Sequence, residues 1–81
     1  MDIFVIGINL YKTLKKCIYE DKDITRAKRL KSRLDTYYHN LNRNQKKKFV
    51  EILINQKLIT GTLVDVIKTF SAEIEKISEV V

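Results

Sequence analysis

The sequence predicts an all-α protein, a compact bundle or orthogonal array of about four short amphipathic helices. Three observations carry that expectation. Apolar residues recur at steps of three and four along the whole chain, the spacing of a single helix face. There is no proline, and the only glycines are Gly7 and Gly61. That is too few turn-formers for an all-β fold or for a disordered low-complexity chain. Finally, residues suited to capping stand where the periodic runs begin. At 81 residues the chain has room for one helical domain, spanning 1–81. A domain of this size buries roughly 60–65% of the surface its unfolded chain exposes, so its core is small but sufficient.

The first helix is expected over about residues 2–20, capped by Asp2. Ile3, Ile6, Leu10, Leu14 and Cys17 fall on one stripe, taken as the core face, with Phe4, Gly7, Tyr11 and Ile18 flanking it. The second helix, about 23–41, has Asp23 as its cap and Ile24, Ala27, Leu30, Leu34, Tyr37 and Leu41 on its stripe. The third opens at Asn42, where Asn42 and Gln45 have the form of a capping box, and continues through Phe49, Ile52 and Leu53 to about Lys57. The segment LITGT then reads as a turn, with Gly61 expected at positive φ and Thr62 with Asp65 as the next cap. The fourth helix has the cleanest stripe: Leu63, Ile67, Phe70, Ile74, Ile77 and Val81. Short connections favour an up-and-down bundle or an orthogonal array. The spacing in the second and fourth helices also permits coiled-coil-like pairing, within the chain or with a second copy as a homo-oligomer.

The opening stretch MDIFVIGINLYKTLKK is rich in apolar residues. A secretory signal carries its positive charge before the apolar run, whereas here Asp2 precedes it and Lys12, Lys15 and Lys16 follow. The run is also well short of the roughly 20 residues that span a bilayer. Cys17 is the only cysteine, so neither an internal disulfide nor a cysteine-paired zinc site is expected. These features fit a cytoplasmic protein with no membrane span, and a buried thiol on a helix face.

The charge is localised. Between Lys22 and Lys48 lie ten basic residues against Asp23 and Asp35 alone, a net +8 within a chain of net +6. Lys22, Arg26, Arg29 and Arg33 form one row on the second helix, expected opposite its leucine stripe. Lys46, Lys47 and Lys48 stand in the first turn of the third helix, where the dipole disfavours cations and a bound anion would relieve the penalty. The row and the lysine cluster are candidates for binding phosphates or an acidic partner, set against a plain solvated face. Tyr37 and Tyr38 adjoin the row, and aromatics beside bases can stack on unpaired nucleotides. Tyr37 is expected in the core and Tyr38 nearer the edge.

The segment FVEILINQKLITGTLVDVIKTF invites comparison with a helix-turn-helix. Lys57 occupies the position that normally holds glycine, and the would-be reading helix offers only Lys68 as a base. Reading helices need donors aimed at base edges, so this motif is not favoured. His39 has no second ligand at helical spacing. No paired carboxylates, glycine-rich phosphate loop or Ser/His/Asp set is present, so no enzyme, metal site or cofactor is expected.

One feature of the first helix exceeds the needs of a core. Val5 and Ile8 project away from the Ile3/Ile6/Leu10 stripe, leaving the helix apolar nearly all round for two turns. Val5 and Ile8, with Phe4 and Tyr19 beside them and Lys12 at the rim, therefore form a candidate partner-binding surface.

Taken whole, the front segment MDIFVIGINLYKTLKKCIYE, the short all-helical plan and the Ile/Lys/Asn-rich composition resemble the small accessory proteins of T-even-type phages, the lysis-inhibition (antiholin) accessory proteins among them. The resemblance implies a cytoplasmic regulator that binds the cytosolic part of a holin and delays membrane permeabilisation. It rests on no discrete motif and carries over no binding residue. The leading expectation is a non-enzymatic helical regulator acting through protein–protein binding. The alternative is a nucleic-acid-binding regulator using residues 22–48, and a third is a binder of membrane surfaces.

Overall fold

The computed structural model describes residues 2–80. In chain order they form α1 (Ile3–Lys16), a π-helical turn (Cys17–Asp21), α2 (Ile24–Asn40), α3 (Arg43–Asn55) and α4 (Leu63–Val80), with no strand among the described residues. The expected caps are present at all four starts. Asp2 and Asp23 accept from the backbone N–H groups of Phe4 and Arg26. Asn42 and Gln45 exchange both bonds of a capping box. The Thr62 hydroxyl accepts from the Asp65 N–H at 3.2 Å. Each cap satisfies a donor that the first helical turn leaves unpaired.

Helix ends are less conventional. The Cys17 carbonyl accepts from the N–H groups of both Lys22 and Asp23, closing the π-helical turn with Lys22 in the left-handed region at φ 50°. Consecutive residues Cys17 and Ile18 are both buried in this turn. At the end of α3 the Leu58 N–H bonds to the Leu53 carbonyl and the Lys57 N–H to the Ile54 carbonyl. This is a Schellman closure, which places the residue after the cap in the left-handed region. That residue is Lys57, at φ 59°. The expectation for Gly61 is therefore corrected: no described glycine has positive φ. The helix terminus, rather than the later glycine, requires the special conformation.

α1 and α2 lie antiparallel as the principal helix pair. α3 packs on α1, and α4 packs on α2 and on the π turn. The core joins Tyr11, Leu14 and Ile18 of the first segment to Leu30 and Leu34 of α2, Phe49 and Leu53 of α3, and Phe70 and Ile74 of α4. Phe49 is fully buried between Tyr37 and Tyr38, with ring centroids at 5.3 and 6.3 Å. Tyr11 stacks on Phe70 and donates its hydroxyl to the Leu58 carbonyl at 2.8 Å. Ile59, in the connection after α3, is buried as well. The stripes expected for α2, α3 and α4 are buried or half-buried; Val81 lies outside the described residues.

The stripe of α1 is the exception. Ile3 and Ile6, expected in the core, are 41% and 42% exposed. Leu14 and Cys17 of the expected stripe are buried and Leu10 is half-buried, but in the first turns the buried line runs instead through Gly7 and Tyr11. The reason is close packing at Gly7. A Cβ there would overlap the Tyr37 ring, so α2 comes this close to α1 only with a glycine at this position or with Tyr37 displaced.

The tandem α3–α4 does not form a helix-turn-helix. Seven residues, 56–62, separate the two helices, against a turn of about three or four in that motif, and the helices pack principally on different neighbours.

Candidate docking surfaces

The predicted apolar surface is split by the fold. Val5 is 42% exposed and Tyr19 45%, but Phe4 and Ile8 are half-buried and pack against the core. Tyr19 also sets its ring edge-on to Phe70, with centroids 6.2 Å apart. Val5 and Ile8 thus do not form one open face. The exposed apolar side chains that α1 presents together are Ile3 and Ile6, with half-buried Leu10 one turn further along. The three-and-four spacing predicts these inside. The available signal was the alignment of Gly7 with Tyr11, Leu14 and Ile18, a stripe that needs a large ring opposite the glycine.

Tyr37 ties α2 to the first turns of α1. Its hydroxyl donates to the Ile3 carbonyl at 2.7 Å while its ring covers Gly7. These contacts set the Gly7 side of α1 against Tyr37 of α2. Further along, α1 meets the end of α3, where Tyr11, Lys15 and Leu58 border one hollow. On α2, Arg29 and Arg33 share a shallow hollow with Tyr37, whereas Lys31 and Asp35 line hollows shared with α4. Arg29 and Arg33 thus lie on the Tyr37 edge of α2, away from the edge that meets α4.

Lys22, Arg26, Arg29 and Arg33 are all exposed. The ion pairs among the described residues are Lys31–Asp35 and Lys76–Glu73, so the row has no acidic partner there. The carboxylates of Asp2 and Asp23 are occupied as helix caps. In the lysine cluster, Lys47 and Lys48 are exposed, while half-buried Lys46 lies over the Tyr38 ring, 5.5 Å from its centroid. That cation–π contact offsets part of the unfavourable placement at a helix start.

A separate apolar hollow of about 170 Å³ lies between α2 and α4, lined by Leu34, Tyr38, Leu63, Val64 and Ile67, with Asp35 and Lys68 beside it. Val64 there is 56% exposed. The phenols of Tyr11 and Tyr37 are pushed above their ordinary value chiefly by burial, and secondarily by the nearby Tyr19 and Asp2 respectively. Burial also raises Tyr19, with Glu73 adding to the effect. Cys17 is buried. Among the described residues no three His, Cys, Asp or Glu side chains converge as a metal-binding group, and no helix is long and apolar enough to cross a membrane. Comparison with protein-family models, with curated proteins and with solved structures gives no match.

Proposed function

We propose that this protein is a non-enzymatic helical regulator that acts by binding another protein. The observations that support this reading are part-exposed Ile3 and Ile6 on α1 and, on the neighbouring α2, Arg26, Arg29 and Arg33, exposed and without an ion-pair partner among the described residues. Ile3 and Ile6 are 41% and 42% exposed, so a partner could recover part of the roughly 1.5–3 kcal/mol that full burial of such a side chain is worth. Among the functions open to such a regulator, lysis inhibition of the antiholin type, by binding the cytosolic part of a holin, is the reading that the resemblance to phage accessory proteins favours.

The alternative is nucleic-acid binding through residues 22–48. The four exposed cations of α2 and the Lys46–Tyr38 pair favour it. Capture from the native host with tagged protein, with and without nuclease, separates the two. A protein partner that survives nuclease supports the regulator, and loss of all captured material on nuclease treatment supports the alternative. Direct binding to a purified holin cytosolic segment tests the finer reading, and absence of binding to it removes the antiholin role.

A further inference from the structure

We infer that the face formed by α2 and α4 is the interface of a two-fold symmetric dimer, its occupant a second copy of this chain. The inference goes beyond the function proposed above and does not depend on it.

Two hollows follow one another along the seam of these helices. In one, Leu34, Asp35 and Tyr38 of α2 face Val64, Ile67 and Lys68 of α4. In the next, Lys28, Lys31 and Asp35 face Ser71 and Glu75. Numbers rise along α2 as they fall along α4, so the helices run antiparallel and the face has a fixed order. Lys28 and Glu75 share one end, Tyr38 and Val64 the other, and Asp35, which borders both hollows, lies between them near the level of Lys68. Val64 is 56% exposed, the highest value among the large apolar side chains of the described residues. Lys28, Lys68 and Glu75 are exposed and have no ion-pair partner among the described residues. Asp35 reaches Lys31 through one carboxylate oxygen, at 3.5 Å, which leaves its other oxygen open.

An isologous interface requires a patch that complements itself. With the two-fold axis along the seam, in the plane of the face, the α2 wall of one copy lies on the α4 wall of the other, level by level. Lys28 then meets the partner's Glu75, and Asp35 meets the partner's Lys68. Tyr38 meets the partner's Val64, which enters the apolar hollow. Symmetry makes each contact twice, with an apolar end and opposite charges in register along the rest. Other occupants fit the pattern less well. Nucleic acid or an anionic bilayer would meet a carboxylate on each wall, Asp35 on one and Glu75 on the other. Arg29 and Arg33, on the Tyr37 edge of α2, stay outside this interface.

The test is sedimentation velocity of the full chain and its variants from micromolar to millimolar concentration, with circular dichroism alongside. The native protein should be a concentration-dependent dimer. Val64→Glu should weaken it by about tenfold or more, since it carries a carboxylate into each apolar hollow. Lys68→Glu and Asp35→Lys each set like charges opposite one another twice, and each should weaken it about tenfold. An equimolar mixture of these two variants should dimerise near the native level, because each copy then supplies the charge that the other's wall requires. A monomer at every concentration, a dimer that no variant weakens, or a mixture that dissociates like its components would overturn the proposal. If a variant loses helicity, chemical shifts of the native protein on dilution decide. Changes must centre on Asp35, Val64 and Lys68, and a centre elsewhere, or none, rejects this face.

Discussion

Gly7 shows how one atom sets the orientation of a helix. Alanine normally stabilises a helix interior by about 1 kcal/mol over glycine, yet here its methyl would enter the Tyr37 ring. Gly7→Ala should therefore destabilise the protein in urea and disturb the Tyr37–Phe49 aromatic pair, whereas Gly61→Ala, with nothing within 4 Å, should be near neutral. Lys57 presents the converse case. A side chain held in the left-handed region costs about 1–2 kcal/mol, so Lys57→Gly should raise the urea midpoint. The tyrosines give a pH dependence. Tyr11, Tyr19 and Tyr37 hold their protons more tightly when folded, so the unfolded chain releases them first. Their contribution is intact below the ordinary tyrosine value near 10 and is lost as pH rises through the folded values. Alkaline unfolding should thus be accompanied by phenolate absorbance, with little change in tyrosine-linked stability between neutrality and about pH 9. Tyr11→Phe should remove the bond to Leu58, at a cost of about 0.5–1.5 kcal/mol, and flatten the alkaline loss.

At the scale of elements, the sequence was informative about starts and less so about stops and rotations. Asp2, Asp23, Asn42–Gln45 and Thr62 could be read as caps because capping is local, an oxygen meeting an N–H two or three residues on. Lys22 and Lys57 could not be read as left-handed residues, because their conformations follow from how the preceding turn closes. The stripes of α2 and α4 were legible because apolar and polar residues alternate cleanly around those helices. In α1 they do not: apolar residues surround its first turns, so packing against Tyr37 decides which side is buried. The basic row was legible as exposed, because its cations stand away from the leucine stripe of α2. Two substitutions test α4. Phe70→Ala should cost about 3–5 kcal/mol as a buried aromatic, and Lys68→Ala, exposed, should change little. Equal effects in urea denaturation would mean that α4 does not pack as described. Asn42→Ala should cost about 1 kcal/mol through loss of the α3 cap.

The molecule as a whole measures 40 × 24 × 18 Å and divides its charge unevenly. Cations gather on α2 and the start of α3, while α4 carries Asp65, Glu73, Glu75 and Glu79 against Lys68 and Lys76. A partner recognised through the α1–α2 side should therefore bind more weakly as salt rises, since exposed charges are screened over about 8–10 Å at physiological ionic strength. The central claim is that the outer flank of α1 serves a partner rather than the fold. Its most direct measurement compares wild type with Ile3→Gln/Ile6→Gln, following urea stability by circular dichroism and nuclease-resistant capture of protein from the native host. The account predicts stability close to wild type together with loss of the captured partner. An unfolded double variant, or a folded one that retains the partner undiminished, would contradict it.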